Sequence, residues 1–390
     1  MLHKKTRKNS ISKNISTQSL TTPKKDGYYM PSEFEKQSAT WLGWPSNPGT
    51  FRLKGAQLAI EQCARIISKY QIVHIVAQPS VWKEAYECFK DCPNIFVDEL
   101  DSDDNWLRDI APTFLIKSVG KNRFMRSVGW KFNGWGNPKT IEHDKDALVA
   151  VKISGFLSVP IYKKFDFVCE GGSFSVDGQG TLVTTEECLL NPNRNKNLTK
   201  AQIANNLCNY LNLTKIIWLP YGVFHDTDTN GHVDNMCVFA GIGKVMLTWP
   251  KGCGTPECED KEQEMRSLAA MDVLENSTDA KGNKITVYKI PHPPKLYYTK
   301  SEAKSLPSTD DGSFARKGGT RMAASHVNLI ITNDVIVVPI FHCSSDNEAI
   351  KAVSEVFPNK KVVGVYAREI LLGGGNIHCM SQQQPYSTDI

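Results

Sequence analysis

One order of local patterns recurs five times along the 390 residues, and it constrains the fold more than any other feature. An amphipathic helical stretch runs directly into a short β-rich stretch: 54–69 then 71–77, 144–154 then 159–162, 199–211 then 215–219, 260–276 then 284–290, and 346–357 then 361–366. The helical stretches carry apolar residues three and four apart, as in Ile203, Leu207 and Leu211, which line one face of a helix. The β-rich stretches are dense in Val, Ile and aromatics. The first four units are each followed by a candidate hairpin, at 111–128, 172–185, 233–249 and 327–341. The clearest turns at Asp177-Gly178-Gln179-Gly180. After the fifth unit only 373–385 remains, and the partner strand it lacks is available at 39–44. Pairing those segments predicts a closed ring: an α/β fold, built as a five-bladed pseudo-symmetric α/β propeller, in one domain over residues 28–390. On pattern alone, an α/β sandwich without symmetry fits as well. The units are unevenly spaced, so insertions are expected, chiefly at 293–322, which reads as a lid or as a surface loop.

Residues 1–27 read differently. They lack periodic apolar positions, are rich in Ser, Thr, Asn and Lys, and are expected to be a disordered basic tail. Seven basic residues and one acid give the tail +6, while the whole chain carries +5. The body is therefore close to neutral, and nothing in its charge supports nucleic-acid binding. No apolar run approaches the roughly 18 residues of a membrane span. Eleven cysteines include no Cys-x-x-Cys, which counts against zinc ribbons and thioredoxin-type sites. Several, such as Cys208 and Cys237, lie in apolar runs, where a thiol packs as a small hydrophobe. These features predict a reducing, cytoplasmic setting. The sequons at Asn14, Asn197, Asn212 and Asn276 are then chance matches.

In a ring, the start of each hairpin faces a common axis. The residues there are Trp106-Leu107-Arg108-Asp109, Glu170-Gly171-Gly172, Gly231-His232-Val233-Asp234-Asn235, Ser325-His326-Val327-Asn328 and Gly373-Gly374-Gly375-Asn376-Ile377-His378-Cys379. Three carboxylates, a histidine and a cysteine would share one pocket. Buried carboxylates need donors or a cation, so a cationic ligand is the natural compensator. Each residue also has a plainer role available. Asp109 could pair with Arg108, Glu170 could cap a turn, and His232 could be a core histidine. The two-residue spacing of His232 and Asp234 would place both on one face of a strand. A zinc site at His378 and Cys379 lacks a second Cys/His pair at standard spacing.

Taken together, these motifs resemble agmatine deiminase, a branch of the guanidino-group-modifying (pentein-like) superfamily. The flanks agree: Gly27-Tyr28-Tyr29-Met30-Pro31-Ser32-Glu33, Trp41-Leu42-Gly43-Trp44-Pro45, Thr185-Glu186-Glu187-Cys188 running on to Asn195, and Gln382-Gln383-Gln384-Pro385. The resemblance spans residues 28–385 and implies a five-bladed propeller that needs no metal or organic cofactor. It implies hydrolysis of agmatine, a small cationic guanidine, to N-carbamoylputrescine and ammonia. It carries Cys379 over as nucleophile, His232 as general acid and base, and Asp109 and Asp234 as the carboxylates gripping the guanidinium. Glu170 and Trp106 match substrate-binding positions. The residue types suit that chemistry. A guanidinium's forked donors match carboxylates, and its delocalised charge makes the carbon a poor electrophile that calls for a thiolate. The amine end of agmatine should meet an acid or an aromatic surface rather than an arginine clamp; Glu170, Trp106, Asp226 and Asp228 are candidates. Related enzymes acting on free or peptidyl arginine, or transferring the amidino group, would share the same core. A non-catalytic binding protein of the same fold would not need all four of Cys379, His232, Asp109 and Asp234. Homo-oligomerisation is left open.

Overall fold

The computed structural model describes residues 21–137, 139–306 and 314–390. Its strands form five separate sheets. Sheet I contains Ser381–Pro385, Gln37–Gly43, Ile72–Ala77 and Ile95–Glu99 in that order. Sheet II contains Thr113–Val119, Asn122–Lys131 and Ile161–Val168. Sheet III contains Phe174–Val176, Thr181–Thr185 and Lys215–Leu219. Sheet IV contains Cys237–Gly241, Lys244–Trp249 and Thr286–Pro291. Sheet V contains Ile330–Ile331, Val335–Ile340 and Lys361–Tyr366. In each, the first two strands are antiparallel and the third is parallel to the second.

The parallel step explains the helices, because a parallel neighbour requires a crossover. Leu53–Ile67, Val149–Phe156, Lys200–Leu211, Lys261–Glu275 and Asp346–Val356 supply it. Lys200–Leu211 shows how local sequence sets such a helix. Thr199 and Gln202 form a reciprocal capping box, worth about 1 kcal/mol. Ile203, Leu207 and Leu211 are buried, and Asn212 ends the helix in the left-handed region at φ 57°.

The ring closes in sheet I, where the C-terminal strand pairs with the N-terminal one: Thr40 faces Gln383 and Trp41 faces Gln382. The core is a set of wedges between neighbouring sheets. Leu115 and Val128 of sheet II pack with Val176 and Leu182 of sheet III. Val183 and Ile217 of sheet III join Val245 and Leu247 of sheet IV. Met246 and Ile290 of sheet IV meet Ile336 and Val338 of sheet V. Val337 and Val365 of sheet V share a cluster with Leu42 and Ile75 of sheet I and Ile116 of sheet II. Consecutive residues such as Val245 and Met246 enter opposite wedges, as the period of two requires. Both faces are apolar, which is why the strands read as dense runs, and the wedges replace the two-layer alternative.

Three expectations change. Residues 21–27 are folded: Pro23–Asp26 is one helical turn capped by Thr22, Tyr162 donates to Asp26 at 2.5 Å, and Lys24 donates to the Leu213 carbonyl at 3.1 Å. The fold therefore starts ahead of Tyr28; residues 1–20 lie outside the described residues. Sheet I has a fourth strand, reached through the helix Trp82–Phe89, with no counterpart in the repeated pattern. Finally, His232 and Asp234 flank no strand face: Val233–Asn235 is a tight helical turn that delivers both side chains to the axis. Among the described residues no helix is long and apolar enough to cross a membrane.

Candidate active site

The turns that precede the hairpins are tied to one another at the axis. Arg108 N donates to the Cys379 carbonyl at 3.0 Å, joining sheets II and I. Gly172 N donates to Asp109 Oδ1 at 3.0 Å, joining III and II. Ser325 Oγ donates to the Asn235 carbonyl at 2.6 Å, joining V and IV. His378 N donates to Asn328 Oδ1 at 3.1 Å, joining I and V.

Gly172 marks the point of convergence. A Cβ there would lie 2.6 Å from His232 Nδ1, 3.0 Å from Asp109 Oδ1 and 3.0 Å from Asp234 Oδ2. The Cys379 thiol points at Asp234 Oδ2 across 3.6 Å, and its sulfur accepts from Asn328 Nδ2 at 3.2 Å. Asp109, His232 and Asp234 thus meet around one glycine, with Cys379 beside them: four residues from three turns.

Asp109 is held by the Gly172 amide on one oxygen and by Trp135 Nε1 on the other, at 2.9 Å. It does not pair with Arg108, which reaches Glu33, Gln383 and Ser381 instead. Asp234 gives Oδ2 to His378 Nδ1 at 2.9 Å, while its buried Oδ1 has no hydrogen-bond partner. His232 is fully buried, with Nδ1 3.8 Å from Asp109 Oδ1 and no hydrogen bond on either ring nitrogen. Its backbone amide is fixed by Asp226, whose carboxylate also takes the Thr229 hydroxyl.

The surroundings bias protonation. Burial pushes the Cys379 thiol well up, and the charges of Asp234 and Asp109 push it further, so the thiol is protonated in the empty site. Burial pushes His232 down, but Asp109, Cys188 and Glu170 outweigh it and hold the imidazole well above its usual value. Burial raises Asp109 against the pull of His232. Burial also opposes ionisation of Asp234, but the two histidines, His378 first, win and hold its carboxyl low.

A solvent-open cavity is lined by Trp106, Asp109 and Cys379 among others. The Trp106 indole packs on Gly375, next to Cys379. Asp103, Asp104, Glu142 and Asp228 make the wall acidic, and Phe314 and Arg316 from the 293–322 insertion complete it. Arg316 is an arginine where none was expected. Its Nη1 pairs with Asp228 at 2.7 Å and its Nη2 donates to the Gly373 carbonyl at 2.6 Å.

The Glu170 side chain is wholly buried; Oε1 pairs with Arg194 Nε at 2.6 Å, and Oε2 has no hydrogen-bond partner. It lies beside His232. Glu170, Cys188 and His232 have potential ligand atoms within 4.8 Å of one another, but a cation there would meet the Arg194 guanidinium. The sequence reading missed Asn328, Trp135, Glu33 and the role of His378. Asn328, His378 and Glu33 stand inside motifs of the sequence; Trp135 carries no local signal.

A closed α/β propeller with a thiol, an imidazole and two carboxylates meeting on its axis defines the pentein class. Within that class, the chain belongs to the Porphyromonas-type peptidyl-arginine deiminase family, whose pattern matches residues 29–385. It is 43% identical over 370 residues to an agmatine deiminase of Pseudomonas fluorescens, covering 94% of this chain and 97% of that one. It is 42% identical over 376 residues to an agmatine deiminase of Medicago truncatula, covering 93% and 98%. Among solved structures, the agmatine deiminase of Enterococcus faecalis superimposes with a TM-score of 0.86 at 38% identity, covering 95% and 99%. A substrate-bound agmatine deiminase of C. jejuni gives 0.77 at 25% identity, covering 92% and 97%.

Proposed function

We propose that this chain hydrolyses agmatine to N-carbamoylputrescine and ammonia, a step from arginine toward putrescine, through an amidino intermediate on Cys379. The observation that carries the reading is the meeting of Asp109, His232 and Asp234 at Gly172, with Cys379 beside them under an acid-lined cavity. The guanidinium brings forked donors and a further positive charge to these buried carboxylates, and Asp234 Oδ1 has no hydrogen-bond partner to give up. Its arrival next to Cys379 favours the thiolate, whose proton leaves to solvent. The sulfur attacks the guanidinium carbon, giving a neutral tetrahedral adduct. His232, protonated in its acidic surroundings, donates to the departing nitrogen; the C–N bond breaks and ammonia leaves. The now neutral His232 takes a proton from water as its oxygen attacks the amidino carbon. The C–S bond then breaks, the hydroxyl proton leaves, and the urea forms.

The wall favours agmatine over arginine: Asp228 offsets the charge of Arg316, while Asp103, Asp104 and Glu142 suit an ammonium. Eleven free thiols support a cytoplasmic setting, and the near-neutral body supports a role without nucleic acid. Ammonia release from agmatine, arginine and peptidyl-arginine tests the proposal, with mass spectrometry of the quenched protein. Agmatine should be the preferred substrate and Cys379 should carry the adduct. Equal or faster turnover of arginine would overturn the substrate assignment.

A further inference from the structure

Against Asp234 lies a buried chain of charges that the reaction as described does not use. His378 precedes the nucleophile, and both its ring nitrogens contact carboxylates. Nδ1 lies 2.9 Å from Asp234 Oδ2; Nε2 lies 2.9 and 3.1 Å from the two oxygens of Glu33. Carboxylates accept hydrogen bonds, so both nitrogens must donate, and only the imidazolium can do that. Glu33 sits on the N-terminal segment, 345 residues away in sequence. Arg108 Nη1 approaches Glu33 Oε1 at 3.4 Å, and Arg108 also donates to Gln383 and to the Ser381 hydroxyl. The charged groups around His378 are therefore Asp234, Glu33 and Arg108; the Cys379 thiol meets the same Asp234 oxygen, Oδ2, at 3.6 Å.

We propose that Glu33 and His378 are positioning residues: Glu33 holds His378 as an imidazolium, and that imidazolium, bound at Asp234 Oδ2, fixes the Asp234 carboxylate and keeps it ionised for the substrate. The proposal rests on the reading of Asp234 as a guanidinium acceptor. Geometry explains why such support is needed. Asp234 is buried beside Asp109, and two carboxylates this close resist joint ionisation unless a cation stands behind one of them. The local protonation agrees. Burial disfavours a charged Glu33, yet Arg108 and His378 bring its carboxyl down to about 2; His378 is raised despite burial and Arg108, through Glu33 and Asp234.

The test combines NMR and kinetics on the full chain. Nitrogen-15 spectra of histidine-labelled protein should show His378 still doubly protonated where an ordinary histidine has lost its proton. In Glu33→Gln its titration should fall toward neutrality. A wild-type His378 titrating like an ordinary imidazole would overturn the relay whatever the substrate is. With agmatine, His378→Leu should raise KM about 10- to 100-fold, the loss expected for one charge-assisted hydrogen bond. His378→Asn, which keeps a donor at the Nδ1 position, should recover most of that loss. Glu33→Gln should add a falling limb to kcat/KM as pH rises through about 6–8, where an unpaired histidine loses its proton. The double variant Glu33→Gln/His378→Leu should be no worse than His378→Leu, because Glu33 acts through His378. Additive losses, or a wild-type pH profile in Glu33→Gln, would overturn the proposal. A wild-type protein that ignores agmatine while its NMR behaves as described would sink the functional reading and leave the imidazolium bridge standing.

Discussion

Gly172→Ala adds one methyl group at the point where the site converges. The backbone of Gly172 is not in the left-handed region, so alanine brings no conformational penalty and the effect is steric. The new carbon would stand 2.6 Å from His232 Nδ1, against an ordinary contact of about 3.5 Å, an overlap of about 0.9 Å. Asp109 cannot yield easily, being held by the Gly172 amide and Trp135. Asp234 is held by His378. His232 has no hydrogen bond on its ring, so the imidazole is the group that moves. A displacement of about 1 Å in a reacting group costs about 100-fold in rate. Overpacking of this kind costs about 1–3 kcal/mol of stability. The expected result is a kcat for agmatine lowered about 100-fold with a smaller change in KM, since the carboxylates keep their places. Gly241→Ala is the control: its Cβ would meet only the flexible Lys244 side chain, at 3.3 Å, and activity should not change. Steady-state ammonia release and thermal melts of both variants decide it. A kcat for Gly172→Ala within about threefold of wild type would refute the convergence at Gly172, because roughly 0.7 kcal/mol is too little for such a clash.

The other predictions use the same geometry. Glu170→Gln leaves the Arg194 charge buried without its partner and should cost about 3 kcal/mol in urea unfolding, with slower turnover because one of the anions that raise His232 is gone; unchanged stability would show the pair to be dispensable. Asn328→Ala removes the donor to the Cys379 sulfur and should lower kcat about tenfold, whereas a change confined to KM would assign Asn328 to substrate binding. Burial raises Asp104 to about 6 despite hydrogen bonds from Thr50 and the Asn105 amide. A carboxyl whose folded value lies above its unfolded one opposes folding once ionised, so its effect is absent below about pH 4 and complete above about pH 6. Asp104→Asn should therefore gain on wild type by up to about 3 kcal/mol between those limits, and a gap that does not change with pH would contradict this.

Much of this architecture can be read along the chain because its causes are local. A helix announces itself through residues three and four apart, as Ile203, Leu207 and Leu211 do, and a hairpin through a turn such as Asp177-Gly178-Gln179-Gly180. The closing pair, Gln37–Gly43 with Ser381–Pro385, is legible because each segment would otherwise be an unpaired edge. The helix Trp82–Phe89 and strand Ile95–Glu99 escape because they break the repeat.

At the site the division is different. Asp109, Glu170, His232, Asp234 and Cys379 stand out in sequence as polar interruptions where apolar strands begin. Their partners do not. Only the tertiary structure pairs Glu170 with Arg194, turns Arg108 from Asp109 to Glu33, pairs Arg316 with Asp228, and seats His378 between Asp234 and a glutamate near the other end of the chain. The reason is physical. Backbone periodicity and turn chemistry act over a few residues and are written in them. The state of a buried charge depends on which opposite charge comes within about 4 Å, and closing the ring of five sheets is what decides that.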